Sequence, residues 1–213
     1  MLIVHHLGKS QSERIVWLCE ELGIPYELKI YDRDPVTRLA PPQYKALHPL
    51  GAAPVITDGD LVMAESGAII EYITGRYGNG RLVLKPDHPD YPNFVYWFHF
   101  ANGTLQPAAG RNMILGRLDL APDNPMLRAM KGRMDLALGE VQARLAKADY
   151  FAGAEFTTAD IMIVFTLTTM RLFAPRDLKP NPNVRAYLKR IGGRPAFQRA
   201  MAKADPGFEV PLD

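Results

Sequence analysis

Ala52-Ala53-Pro54-Val55-Ile56, followed by Asp58-Gly59 and then by Glu65-Ser66, decides how this chain is read. Val55 and Ile56 are β-branched, and Asp58-Gly59 is a strong short-range hairpin signal. Leu61-Val62-Met63 supplies the returning strand. Proline has no ladder donor, so Pro54 belongs at a sheet edge or at the first position of a strand. The backbone beside it is left for a small molecule to pair with. Glu65 and Ser66 then open a helix over residues 67–77, whose N-terminal amides attract anions. A carboxylate, a hydroxyl and a positive helix end suit an α-amino-acid group, an ammonium next to a carboxylate.

Working outward, residues 2–6 read as a short strand and 26–30 as another. Between them, 10–22 reads as a helix with Ile15, Val16, Leu18, Cys19 and Leu22 on its apolar side and Gly23 as its C-cap. Strand, helix and strand in so short a length imply a parallel βαβ unit. Residues 41–46 give a short helix, and the ββα segment after it completes a small mixed sheet that closes near Tyr77. Gly78-Asn79-Gly80 and Lys85-Pro86-Asp87-His88-Pro89 form a linker, and beyond it the strand pattern disappears. Residues 92–115 read as a long helix kinked at Pro107. Residues 125–148 read as a helix, 157–173 as an apolar central helix opened by a Thr157/Asp160 capping box, and 183–191 and 195–204 as short amphipathic helices. The expected architecture is α/β plus all-α: an α/β domain over 1–77, a linker over 78–88 and an all-helical domain over 89–213.

Composition sets bounds. The 213 residues are 47% hydrophobic and 23% charged, as in an ordinary soluble protein. A net charge of +2 is too small for a nucleic-acid footprint. The first 77 residues carry 7 basic against 10 acidic groups, leaving 18 against 13 for the rest, so the helical part is the basic one. The single cysteine, Cys19, permits no internal disulfide and sits on an apolar helix face, where an inert buried thiol is expected. No apolar run approaches the ~20 residues of a membrane span, and no signal-peptide pattern opens the chain. The cytoplasm is the expected location. His5 and His6 are adjacent on a strand and point to opposite faces, and neither a metal cluster nor a phosphate loop is visible.

Ala53-Pro54 followed by Glu65-Ser66 resembles the glutathione-binding half-site of the cytosolic glutathione transferases. Val4 to Arg14 fits that family's first strand, catalytic loop and first helix. Tyr31-Asp32-Arg33-Asp34, Ala40-Pro41-Pro42 and His48-Pro49-Leu50-Gly51 are similar to a bacterial and fungal serine-type subgroup. Phe156-Thr157-Thr158-Ala159-Asp160-Ile161 matches the capping motif of the C-terminal domain. The resemblance implies a thioredoxin-like domain followed by a helical one, usually as a homodimer. It also implies glutathione as co-substrate, no metal, and a small hydrophobic electrophile as second substrate, the chemistry of detoxification.

The resemblance makes Ser10 the catalytic serine, four residues before Arg14. By its own sequence, Ser10-Gln11-Ser12-Glu13 reads as a capping box, with Ser10 as N-cap and Glu13 at N3. The two roles are compatible, since a capping oxygen accepts and its proton remains free to donate. Ser12 is the reserve candidate, otherwise an exposed serine in the first turn. The resemblance also implies a cis bond before Pro54, with Ala53 pairing to the cysteinyl backbone and Glu65 and Ser66 holding the γ-glutamyl end. Relatives often have Lys, Arg or Gln where this chain has Ala52, and His48, Arg38 and Lys45 are the candidates to serve the glycyl end instead. Asn102 is placed near the partner subunit's γ-glutamyl site. In the long helix His99, Asn102, Gly103, Gln106, Pro107 and Gly110 share one face, with Trp97, Phe98, Ala101, Leu105 and Ala108 on the core side. His99, Asn102 and Gln106 are the candidate lining of the second-substrate pocket. The expected activity is that of a glutathione transferase, conjugating the glutathione thiolate to the electrophile; a glutathione-dependent peroxidase or disulfide reductase and a non-catalytic binding protein are the alternatives.

Overall fold

In the computed structural model, which describes residues 1–121 and 123–213, every residue of β1 (Leu2–Leu7) except Ile3 is buried. The strand has a neighbour on each side. β2 (Glu27–Tyr31) runs parallel to it, β3 (Val55–Asp58) antiparallel, and β4 (Leu61–Ala64) pairs antiparallel with β3. The order is β2-β1-β3-β4, with Val4 level with Leu28 on one side and Ile56 on the other. This is the thioredoxin-like mixed sheet expected from the sequence. α1 (Glu13–Leu22) makes the crossover and ends at Gly23, whose φ of 61° suits a residue without Cβ. α2 (Pro42–Lys45) and α3 (Ser66–Arg76) complete the N-terminal part. Val4, Ile15, Leu18, Ile56, Ile69 and Ile73 are fully buried in its core.

α1 starts three residues later than expected. Ser10 to Ser12 form turns, Ser12 is the N-cap, and its side chain caps nothing. The Ser10/Glu13 capping box does not form, because the Ser10 oxygen accepts from Ser12 N–H instead, at 3.2 Å.

The chain divides into two compact units. The first comprises residues 1–83 and 192–210, and the second 84–191 and 211–213. The sequence division assigned all of 89–213 to the helical domain, but residues 192–210 complete the first unit. The reason lies in α1, which offers α9 (Pro195–Ala204) an apolar row and two acids. Trp17 meets Phe197 edge-on with ring centres 4.9 Å apart. Arg194 donates twice to Glu21, at 2.7 and 2.8 Å, and Arg199 and Lys203 donate to Glu20 at 3.1 and 2.5 Å.

In the second unit the long helix is divided. α4 (Tyr91–Phe100) passes into a π-helical turn over Ala101–Leu105 and then into α5 (Gln106–Leu115). The expected kink at Pro107 takes this form: Pro107 has no N–H to offer Gly103 and its ring crowds that carbonyl, and a widened turn just before it relieves both. Trp97, Phe98, Ala101, Leu105 and Ala108 are buried, as the periodicity required. α6 (Pro125–Leu145) is capped by Asn124, which accepts from the N–H groups of Met126 and Leu127. α7 (Thr158–Leu167) is buried along its whole length and opens with the Thr157/Asp160 capping box. It stops at Leu167 rather than Phe173. Thr168 donates to Val164 O at 2.8 Å and takes φ −124°, ψ −100°, and a 3₁₀ turn over Thr169–Leu172 follows. α8 (Pro182–Gly192) precedes α9.

Candidate functional site

The loop after β1 is clamped at both ends of its polarity. Lys9 N–H donates to both carboxylate oxygens of Asp205, at 3.0 and 3.2 Å. Arg33 Nε donates to Gly8 O at 2.8 Å. Lys9 has φ 51°, a left-handed conformation that this clamping sustains. Ser10 follows, 4% exposed, and Ser12 is fully buried. Ser12 is therefore not the exposed first-turn serine the sequence suggested. Its Oγ lies 2.7 Å from Ser10 Oγ and 2.9 Å from His6 Nδ1, and accepts from Leu7 N–H at 3.1 Å. His6 Nε2 lies 3.1 Å from Asp205 Oδ2.

Arg14 ties the start of α1 to the start of α3. It is 1% exposed, and its Nη1 donates to Gln11 Oε1 at 2.8 Å and to Ser66 Oγ at 3.2 Å. Burial pushes the Arg14 guanidinium down to about 9, which still leaves it charged at neutral pH. Ser66 is itself 1% exposed, while Glu65 beside it is exposed with φ 73°. A non-glycine residue in that region is strained, and it turns the chain abruptly from β4 into α3. The Ala53–Pro54 bond is cis, and Pro54 immediately precedes the first residue of β3. His48 sits in the preceding loop, half-buried, with its Nδ1 accepting from Leu50 N–H at 3.2 Å. Arg38, Lys45 and Ala52 are exposed.

Two family descriptions match the chain: glutathione S-transferase, N-terminal domain, over residues 10–75, and glutathione S-transferase, C-terminal domain, over residues 109–190. Glutathione S-transferase 3 of Schizosaccharomyces pombe is 32% identical over 220 residues, 96% of this chain and 88% of the relative. This chain belongs to the glutathione S-transferase family. GstB of Escherichia coli is 29% identical over 207 residues, covering 91% of this chain and 95% of its own. Among solved structures, a glutathione S-transferase from Actinobacillus pleuropneumoniae superposes with a TM-score of 0.88 at 35% identity, covering 96% of this chain and 93% of that one.

Six of the residues named from the sequence of this glutathione S-transferase family member therefore lie in its first unit: Ser10, His48, Ala53, Pro54, Glu65 and Ser66. His99, Asn102 and Gln106 lie in the second, His99 exposed and the other two half-buried, along α4, the π-helical turn and α5. None of these three lines the cavity of about 450 Å³ in the second unit, which runs from Ala109 and Met113 past Met134 and Leu138 to Thr166 and Phe173. Burial pushes the Cys19 thiol up, away from reactivity. Among the described residues no group of three or more His, Cys, Asp or Glu side chains gathers as a metal site. Among the same described residues no helix is long and apolar enough to cross a membrane.

Sequence reasoning missed His6 and Asp205. The transferase brings them together from 199 positions apart, and no local pattern announces such a pair. What the sequence did offer was the alternation that turns His6 to the opposite face of the sheet from His5; both histidines are buried.

Proposed function

We propose that this chain conjugates glutathione, through its thiolate sulfur, to an electrophilic carbon of a small hydrophobic compound. The observation that carries the reading is the Arg14 tie, because it draws the N-terminal ends of α1 and α3 together. One end offers the Ser10 hydroxyl to a thiol, and the other offers Ser66 and Glu65 to a γ-glutamyl group. A thiol with a free pKa of about 8.5 is mostly protonated at neutral pH. Lowering it by about 2 units takes about 2.7 kcal/mol of preference for the thiolate. One charge-assisted hydrogen bond from Ser10 and the positive end of α1 supply much of that. Ala53 pairs with the cysteinyl backbone as an added strand would, and His48, Arg38 or Lys45 serves the glycyl end in place of a side chain at Ala52. His99, Asn102 and Gln106 bound the pocket of the electrophile. Their polarity favours compounds with acceptor groups over plain hydrocarbons. The enzyme acts as a homodimer in the cytoplasm, in detoxification, with Asn102 near the partner's γ-glutamyl site.

Retention on glutathione-agarose, followed by assay against aryl halides, peroxides and mixed disulfides, tests this. Conjugation of the halides is the expected leading activity. Leading activity on peroxides or disulfides would move the reading to redox chemistry, and no activity with no retention would sink it. Gln106→Leu should reorder the electrophiles without altering glutathione affinity.

A further inference from the structure

Ser10, Ser12, His6 and Asp205 form one unbroken file of contacts, at 2.7, 2.9 and 3.1 Å, from the turn before α1 to the loop after α9. Every proton in it can be placed. Asp205, which takes two bonds from Lys9 N–H, is an acceptor, so His6 Nε2 carries a hydrogen. With His6 neutral, its Nδ1 must accept, and Ser12 O–H donates to it. Ser12 Oγ then accepts from Leu7 N–H and from Ser10 O–H, and Ser10 Oγ accepts from Ser12 N–H. In this state the Ser10 proton is turned inward, and Ser10 presents only a lone pair outward. With His6 as imidazolium the file reverses. Nδ1–H donates to Ser12, Ser12 O–H donates to Ser10, and Ser10 O–H is free to point outward. The first state satisfies every group within the file, and the second does so once an acceptor outside it takes the Ser10 O–H.

We infer that His6 is the acceptor of the proton that bound glutathione loses. The inference rests on the reading that Ser10 faces the sulfur. Glutathione S–H donates to Ser10 Oγ and its bond breaks, leaving the electron pair on sulfur. That proton joins Ser10, Ser10's own proton passes to Ser12, and Ser12's passes to His6 Nδ1. The products are a thiolate that accepts from Ser10 O–H and an imidazolium paired with Asp205. Arg33 is the next charge, acting on Asp205 from beyond β2, and Lys9 holds its ammonium over the Phe208 ring, 5.2 Å from the centre. His5, the neighbouring histidine, is engaged with Tyr31 and Thr57. The order Ser12–His6–Asp205 is that of a hydrolytic triad, but Ser12 is fully buried and its oxygen is surrounded by Leu7, Ser10 and His6. It relays and does not attack. His6 is thus a positioning and proton-storing residue, one shell behind the sulfur.

The test is a proton count. Glutathione is added to the whole protein near neutral pH in weak buffer, with thiolate followed by ultraviolet absorbance and released protons by an indicator dye. The expected result is thiolate formed with almost no net proton released. Thiolate formed with one proton released per site overturns the inference, and this measurement needs no variant. His6→Gln should raise the bound thiol's pKa by about a unit or more, with affinity for the protonated thiol, measured at acid pH, unchanged. An unchanged pKa in folded His6→Gln also overturns it. Ser10→Ala separates the two readings. If it leaves the wild-type thiolate pKa intact, the reading of Ser10 fails and the relay falls with it. If Ser10→Ala loses the thiolate while wild type releases a full proton, only the relay fails.

Discussion

At the scale of single residues, burial assigns the chemistry. Arg14 and Ser12 are polar side chains taken almost wholly out of water, and each is held by named partners rather than by solvent. A buried donor costs most when its acceptor is left behind. Arg14→Ala strips the donor from Gln11 Oε1 and Ser66 Oγ at once. The expected loss is on the order of 2–4 kcal/mol of stability, together with a higher KM for glutathione as Ser66 loses its anchor. Urea unfolding and steady-state kinetics check this, and an unchanged KM would detach Ser66 from glutathione. Asp160 is a second buried polar group. Burial pushes its carboxyl up to about 6, against the opposing bonds from Phe151 N–H, Thr157 and Tyr187 O–H. A raised acid holds its proton in the fold where the unfolded chain has released it. Between pH of about 4 and about 6, rising pH therefore withdraws stability, by up to about 3 kcal/mol in all. Asp160→Asn lacks this slope, so the urea midpoint of wild type relative to the variant should climb as pH falls from 7 to 4. A constant difference would show that the carboxyl titrates normally.

At the scale of elements, the docking of α9 onto α1 is the contact most open to measurement. Phe197→Ala removes the ring against Trp17 and should cost about 3–5 kcal/mol. Trp17 is 2% exposed, so its fluorescence should also shift to the red when that cover is lost. Emission unchanged in the folded variant would mean that Trp17 is shielded by other groups. Most elements were legible because their signals are local. The β-branched pair Val55-Ile56 before Asp58-Gly59, the stop at Gly23 and the Thr157/Asp160 box each act within a few residues. Of the candidate site, the cis bond before Pro54 was legible through the family resemblance, and Ser66 was legible as a residue at the start of α3. What escaped was set by long-range competition. Ser10 leaves its expected cap, and Ser12 turns inward because the imidazole of His6 gives it a partner that no adjacent residue foreshadows. α9 looks like any amphipathic helix until Glu20 and Glu21, some 180 positions earlier, are seen to face it.

At the scale of the whole molecule, the uneven charge noted in the sequence finds part of its cause. Three cations of the basic later half, Arg194, Arg199 and Lys203, neutralise acids in the first unit. Assembly is open to direct measurement: light scattering at micromolar concentration should give twice the 23.8 kDa chain mass. A particle of chain mass would remove any role for Asn102 across a subunit boundary. The discontinuity of the first unit also orders events at the ribosome. Its N-terminal 83 residues are made early, yet α9 and Asp205 arrive only after some 110 more. At about 5–20 residues per second that is a wait of roughly 5–20 s. During it the apolar side of α1 around Trp17 is uncovered and His6 has no carboxylate. The first unit therefore cannot close until α9 is made, and the cover over Trp17 is among the last parts of it to be supplied.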